Sequence, residues 1–468
     1  MMTKLFLVIT LCMTFGATGV VAADRDSAHG KKALEIYRKV ISIPTVAGRG
    51  KVPEMVDYLV SELHQAGFTD QDIEILPKGE TAALVVRYRG DGSSGKDPIL
   101  LLAHMDVVEA DPKDWQRPPF ELTQDETYFY GRGTVDNKLG VTQLISTFIR
   151  LKKAGFTPNR DLVIALTGDE ETGMTTTRML AYERADLTRA EFALNTDAGG
   201  GELRADGKPV VYLVQVAEKT YATFELTVTN PGGHSSRPRP DNAIYDLAEA
   251  IRKVQAVHFP VRYTDMTRDY FRTTGGKLGG ELGAAMIRFA DHPEDKTATD
   301  RLEVESSYVG TTRTTCVPTM LHGGHAENAL PQSATVTVNC RIFPGVSVAA
   351  VQKTLQDAIA NDAVTFKVLD NPTVSPISEL RPDVLAALET VVQDRYPGID
   401  IIAFMESGGT DGMHYRAAGI PTVAISSAFM NPDEMFAHGL NERLPIKTFY
   451  DGLDHWTDIL KALSMSQQ

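Results

Sequence analysis

The chain has 468 residues, 43% of them apolar and 23% charged, with a formal net charge of −14. Such a composition belongs to a globular protein, too long for one ordinary domain and suited to about two or three. The negative balance speaks against nucleic acid or an anionic membrane surface as a partner.

Residues 1–23 read as a signal peptide: Lys4 supplies the positive end, 5–15 is mostly apolar, and Val21-Ala22-Ala23 is a small-residue cleavage site. The expectation is export, to a periplasm or to the medium. No later run has the ~20 apolar residues of a transmembrane helix, so no membrane partner is expected after cleavage. Cys12 leaves with the leader, and Cys316 and Cys340 remain. Two cysteines do not make a disulfide framework.

The periodicity predicts helices over 31–41 and 52–66, the second with Val56, Leu59, Val60 and Leu63 as its apolar stripe, then strands at 73–76 and 82–88. Residues 99–103 form an unbroken apolar run that ends in His104-Met105-Asp106. After an irregular stretch, Gly131-Arg132-Gly133-Thr134-Val135-Asp136-Asn137-Lys138 leads into a helix over 139–154. Residues 162–167 form a second apolar run and end in Gly168-Asp169-Glu170-Glu171; residues 192–194 form a third, ending in Asn195-Thr196-Asp197. Such runs are strands buried on both faces of a mostly parallel sheet, and open α/β sheets bind ligands at the carboxyl ends of their strands.

The pattern changes near residue 220. Residues 221–229 alternate as a half-buried strand, Gly233-His234 lies in a loop, and a helix covers 242–254. Residues 257–312 are Gly-rich, give no clear period, and read as an insertion. Strands at 314–321 and 335–342 flank Asn328; a helix over 347–360 and a strand at 364–369 follow. The order β-α-β-β-α-β is the ferredoxin-like pattern. The α/β pattern resumes with a helix over 382–396, a strand at 401–404, the Gly-rich loop Glu406-Ser407-Gly408-Gly409-Thr410-Asp411, a strand at 422–426, the segment 435–442 containing His438, and a closing helix over 445–464. The expected division is a catalytic domain from 24–219 and 376–468, with residues 220–375 inserted as a second domain.

His104, Asp136, Glu171, Asp197 and His438 together are two imidazoles and three carboxylates, a donor set suited to zinc or a similar first-row ion, and to a two-metal site with one bridging carboxylate. Each also has a bland explanation alone. The acid run is a solvated turn, His104 and His438 are ordinary histidines, and Asp197 is a helix cap. What favours the metal is that several strand ends converge on one edge of a sheet.

These residues resemble the dizinc exopeptidase and deacylase family, which includes glutamate carboxypeptidase, carboxypeptidase S, succinyl-diaminopimelate desuccinylase, acetylornithine deacetylase and aminoacylase-1. The similarity rests on His104-Met105-Asp106, Gly131-Arg132-Gly133 with Asp136 and Lys138, Asp169-Glu170-Glu171-Thr172-Gly173, Asp197, Gly233-His234, Asn328 with Pro331, Arg341, Gly409-Thr410-Asp411, and His438 with Glu442. It implies a zinc-exopeptidase-like α/β domain with an inserted ferredoxin-like α+β lid or dimerisation domain. It implies two zinc ions per chain, with cobalt or manganese as substitutes. Asp136 would bridge them, with a cis peptide to Asn137; His104 and Asp197 would complete one site, Glu171 and His438 the other. Asp106 would orient His104, Glu170 would be the general base, and His234 would donate to the oxyanion, often across a dimer interface. Arg341 would hold a substrate carboxylate, with Asn328 and the Gly409–Thr410 backbone completing the pocket.

The implied activity is that of a carboxypeptidase or dipeptidase acting on small peptides. An N-acyl-amino-acid deacylase is the alternative, and a homodimer through the second domain is implied with either. A catalytically inactive binding module is a further reading, opposed by the intact ligand set; a purely structural metal site would be closed and four-coordinate. Cys316 and Cys340 lie at equal sequence distance on either side of Asn328. A hairpin centred there would set them opposite each other, either as a disulfide or as two buried thiols.

Overall fold

The computed structural model describes residues 25–369 and 371–465; the expected signal peptide lies outside them. Ten strands form one large sheet. Its centre is Leu162–Thr167, Ile99–His104, Phe192–Asn195 and Thr422–Ala424, each parallel to its neighbour. Thr81–Tyr88 and Ile73–Lys78 extend one side antiparallel. On the other side lie Pro209–Glu218 and Gly200–Leu203, antiparallel, with Phe429–Met430 and Asp400–Glu406 as parallel additions. The sheet is therefore mixed, with a parallel core and antiparallel flanks.

Successive residues of a strand point to opposite faces, and the central strands are apolar on both. Ile99, Leu101 and Ala103 join one core with the helices Ala28–Ser42, Val52–Gln65, Lys138–Lys153, Pro382–Arg395 and Ile446–Ser464. Leu100 and Leu102 face a second core with Met179, Leu180 and Tyr415. The register pairs His104 with Thr167 and Leu102 with Asn195. The His104, Glu170 and Asp197 segments therefore leave the sheet side by side at one edge.

A separate antiparallel sheet has the order Thr315–Gly323, Ser333–Ile342, Thr220–Thr229, Val364–Leu369. The helices Ala243–Gln255 and Val348–Ile359 cover one face of it, around Phe224, Leu226, Val336 and Val338. Cys316 and Cys340 are direct partners across two of its strands and are joined by a disulfide.

Two features differ from the sequence reading. Residues 198–220 carry no predicted element, yet Pro209–Glu218 is a buried ten-residue strand. It runs through Lys219 into Thr220–Thr229 without a turn residue, so no punctuation marks its end. Residues 257–312, unassigned from periodicity, contain the helices Asp265–Leu278, Gly280–Asp291, Lys296–Glu303 and Ser306–Thr312. Their apolar side chains, among them Tyr270, Phe271, Met286 and Phe289, pack on Val210, Val211, Leu213 and Phe404 of the large sheet.

Candidate metal centre

His104 ends a central strand and is 1% exposed. Its Nδ1 lies 3.1 Å from the Asp106 carbonyl oxygen. A carbonyl only accepts, so Nδ1 carries the hydrogen and Nε2 presents a lone pair when the ring is neutral. That Nε2 points at carboxylates, 2.9 Å from Asp136 Oδ1 and 3.4 Å from Asp197 Oδ1. The other Asp136 oxygen, Oδ2, is 3.0 Å from His438 Nε2, which also lies 3.0 Å from Glu171 Oε2. Each imidazole thus addresses a different oxygen of Asp136, and each has a further carboxylate beside it. Donor atoms of His104, Asp136 and Glu171 all lie within 4.8 Å of one another, as do those of His104, Glu170 and Asp197. Lone pairs and carboxylates converging without a fixed cation among the side chains are the chemistry of a divalent-ion site, and this donor set fits two.

The electrostatics of the ion-free chain agree. Burial alone would push His104 down; Asp197 and hydrogen bonds to Asp106, Asp136 and Asp197 outweigh it and hold the ring well above its ordinary pKa. Hydrogen bonds to Asp136 and Glu171 carry His438 up to about 10. The imidazoles thus take up protons where cations are wanted. Glu170 is 8% exposed, and burial pushes its pKa well up, with Asp197, Asp411 and Glu171 adding to the rise against His104.

The turn carrying Glu170 and Glu171 is held by three other carboxylates. Asp106 Oδ1 accepts from Glu170 N at 3.1 Å and Oδ2 from Glu171 N at 3.0 Å. Asp169 accepts from the amides of Thr175 and Thr176, at 2.6 and 2.9 Å, and from both hydroxyls. Asp411, buried at 2%, accepts from Thr167 Oγ1 at 2.6 Å and from the Thr177 hydroxyl. Asn137, joined to Asp136 by a cis peptide, donates from Nδ2 to Asp197 Oδ1 at 2.6 Å. The supporting role of Asp169 and Asp411 is absent from the sequence reading; the run Thr175-Thr176-Thr177 just beyond the acids is the signal that could have shown it.

The remaining predicted residues fall into two groups. Arg341 stacks 4.6 Å over the Tyr221 ring, and burial lowers its pKa, against Tyr221, Glu406 and Glu170. Thr410 N donates to Glu218 Oε2 at 2.6 Å, so this amide of the Gly409–Thr410 backbone is engaged within the fold. His234 and Asn328 are exposed, together on the smaller-sheet side: His234 pairs with Ala329, and Asn328 O accepts from Ser235 N. The His234 ring contacts Ser236, and among the described residues no hydrogen bond or ion pair joins it to the cluster.

Comparison with known proteins agrees with this geometry. The model of Peptidase family M20/M25/M40 matches residues 100–462. An N-fatty-acyl-amino acid synthase/hydrolase of Xenopus tropicalis is 29% identical over 357 residues, 74% of this chain and 69% of that one. Aminoacylase-1 of Mus musculus is 26% identical over 449 residues, 94% of this chain and 97% of its own. Among solved structures, an M20 family metallo-carboxypeptidase of Sulfolobus solfataricus superposes with a TM-score of 0.72 at 18% identity, covering 92% of this chain and 99% of that one. With the family model reaching from the strand before His104 to the closing helix, the chain belongs to Peptidase family M20/M25/M40 and is a metal-dependent hydrolase of peptide or amide bonds.

Proposed function

We propose an exported dizinc enzyme that cleaves an amide or peptide bond next to a free carboxylate, as a carboxypeptidase or dipeptidase. The observation that carries this reading is the two imidazoles meeting different oxygens of Asp136, His104 at 2.9 Å and His438 at 3.0 Å, with Asp197 and Glu171 beside them.

In this reading His104 and Asp197 would hold one ion and Glu171 and His438 the other, with Asp136 between them. Zinc, or cobalt or manganese as substitutes, would supply Lewis acidity there, making a water more acidic and the scissile carbonyl more electrophilic. Glu170 takes the proton of the attacking water and delivers it to the amine nitrogen as the C–N bond breaks. Arg341 receives the substrate carboxylate through two parallel N–H···O bonds. Asn328 and the Gly409–Thr410 loop complete the pocket, Thr410 by ordering the loop through Glu218. His234 donates to the developing oxyanion. From its exposed place it arrives either by closure of residues 220–375 as a lid or from a second copy in a homodimer. The edge strand Thr315–Gly323, with Val317, Met320 and Leu321 exposed, is the surface for that pairing.

Hydrolysis of N-acyl amino acids is the second reading, favoured by the likeness to the N-fatty-acyl-amino acid synthase/hydrolase and to aminoacylase-1. Both readings need a free carboxylate and differ on the acyl side. The test is turnover of dipeptides, C-terminally free peptides and N-acyl amino acids, with and without chelator. A preference among them selects the reading. Glu170→Gln should keep fold and metal and lower kcat at least about 100-fold; wild-type turnover in that variant would remove the mechanism.

A further inference from the structure

The loop that carries His438 has little apolar anchorage. Met435 and Leu440 are 54% and 53% exposed, and the His438 side chain is itself 54% exposed. His438 and Asn441 adopt left-handed backbone, φ 63° and 55°, a conformation a β-carbon disfavours, least so for asparagine. Something else must hold this loop where His438 Nε2 meets Asp136 and Glu171.

A buried ion pair does so. Arg132 and Glu442 are 2% and 0% exposed, and Arg132 Nη1 donates to Glu442 Oε2 at 2.7 Å. Arg132 Nη2 donates to the carbonyl oxygens of His438 and Gly439, at 3.3 and 3.1 Å. Glu442 reaches the other way. Its Oε1 accepts from Val135 N at 2.7 Å and Asp136 N at 3.2 Å, and its Oε2 accepts from Gly133 N at 3.0 Å. Trp115 lies against the pair, its ring 5.1 Å from Arg132 Cζ. One charge pair thus sets the backbone of Asp136 against that of His438, two segments about 300 residues apart in the chain. His104 needs no such help, since the strand Ile99–His104 places it.

We infer that Arg132, through the His438 and Gly439 carbonyls, is a positioning residue for one of the two ions, the one between Glu171 and His438; Glu442 holds the Val135 and Asp136 amides by its own bonds, so the ion at His104 and Asp197 is left largely unaffected. The inference rests on the dinuclear reading above. Its physical basis is the guanidinium fork, which spans Glu442 and two carbonyls at once. The ammonium of lysine is a compact donor on a flexible stem and keeps the charge without the span.

The test is zinc titration of the metal-stripped full chain by calorimetry, wild type beside Arg132→Lys, with thermal unfolding of each. The wild type should bind two ions. The variant should keep one at wild-type affinity and bind the second about 10–100-fold more weakly, the range for groups that orient ligands from behind. Two ions bound as in the wild type, or both weakened alike, would overturn the inference and leave Arg132 a merely structural residue. Fewer than two ions on the wild type would instead overturn the dinuclear reading, and this inference with it. If Arg132→Lys does not fold, Trp115 emission in a Trp456→Phe chain, which has no other tryptophan in its described residues, gives the same answer. Zinc should change that emission, and the change should vanish when Glu171→Gln removes a ligand of the ion beside His438; a change that survives Glu171→Gln would overturn the assignment.

Discussion

Arg341 stands at the end of a chain of contacts that fixes its direction. Tyr221 lies under its guanidinium at 4.6 Å, and its Nε donates to Asn339 Oδ1 at 3.3 Å. If it holds the substrate carboxylate, Arg341→Lys keeps the charge and loses the two-point bond. KM should rise about 10–100-fold, the value of a charge-assisted hydrogen bond, with a smaller change in kcat. Steady-state kinetics on one substrate and its C-terminal amide check this; the amide should be indifferent to the change, and an equal effect on both would argue against the clamp. At this scale the ligand types could be read from sequence, because metals demand particular donor atoms. The supports could not. The resemblance assigns Asp106 to His104 alone; in the structure its carboxylate also accepts from the Glu170 and Glu171 amides, while its Oδ1 and its carbonyl oxygen lie 3.5 Å and 3.1 Å from the His104 ring. No spacing in the chain announces a bond from a side chain to a backbone 64 residues away.

The elements that read clearly are those whose pattern is strong over their whole length. The runs at 99–103 and 162–167 became strands buried throughout, and the alternation at 221–229 became a half-buried strand. The insertion failed the same test because Gly275, Gly276, Gly279 and Gly280 interrupt the period where its first two helices meet, and the next two are only 8 and 7 residues long. The cross-strand disulfide belongs to this scale as well. It closes a loop of 24 residues between two strands of the smaller sheet. Removing it by Cys316→Ala with Cys340→Ala should cost about 2–4 kcal/mol of stability, read as a lower unfolding midpoint with metal content unchanged. Equal midpoints would mean that the ladder alone holds Thr315–Gly323 in place.

The whole molecule carries a pH limit in the helices that cover its large sheet. Burial, aided by Arg150, lowers His29 at the start of Ala28–Ser42 to about 4. In Ile446–Ser464, burial and Arg395 hold His455 well below its ordinary value. Both rings are neutral in the fold and gain protons more readily when unfolded. Their contribution is therefore complete above about pH 6.5 and is lost as pH falls toward the folded values. Relative to His29→Gln, the wild type should lose about 1–2 kcal/mol of unfolding free energy between pH 7 and pH 4.5, as measured by denaturant titration of both at several pH values. A wild-type slope in the variant would move the acid limit elsewhere. By itself the sequence determined the class of fold, the two kinds of sheet and the donor types at the strand ends, since apolar period and side-chain chemistry are local properties of the chain. Tertiary structure alone decided that the insertion covers the large sheet, that His234 stands apart from the cluster, and that Arg132 and Glu442 join Asp136 to His438. These depend on which surfaces meet after the chain has folded, and pairings across hundreds of residues leave no period along it.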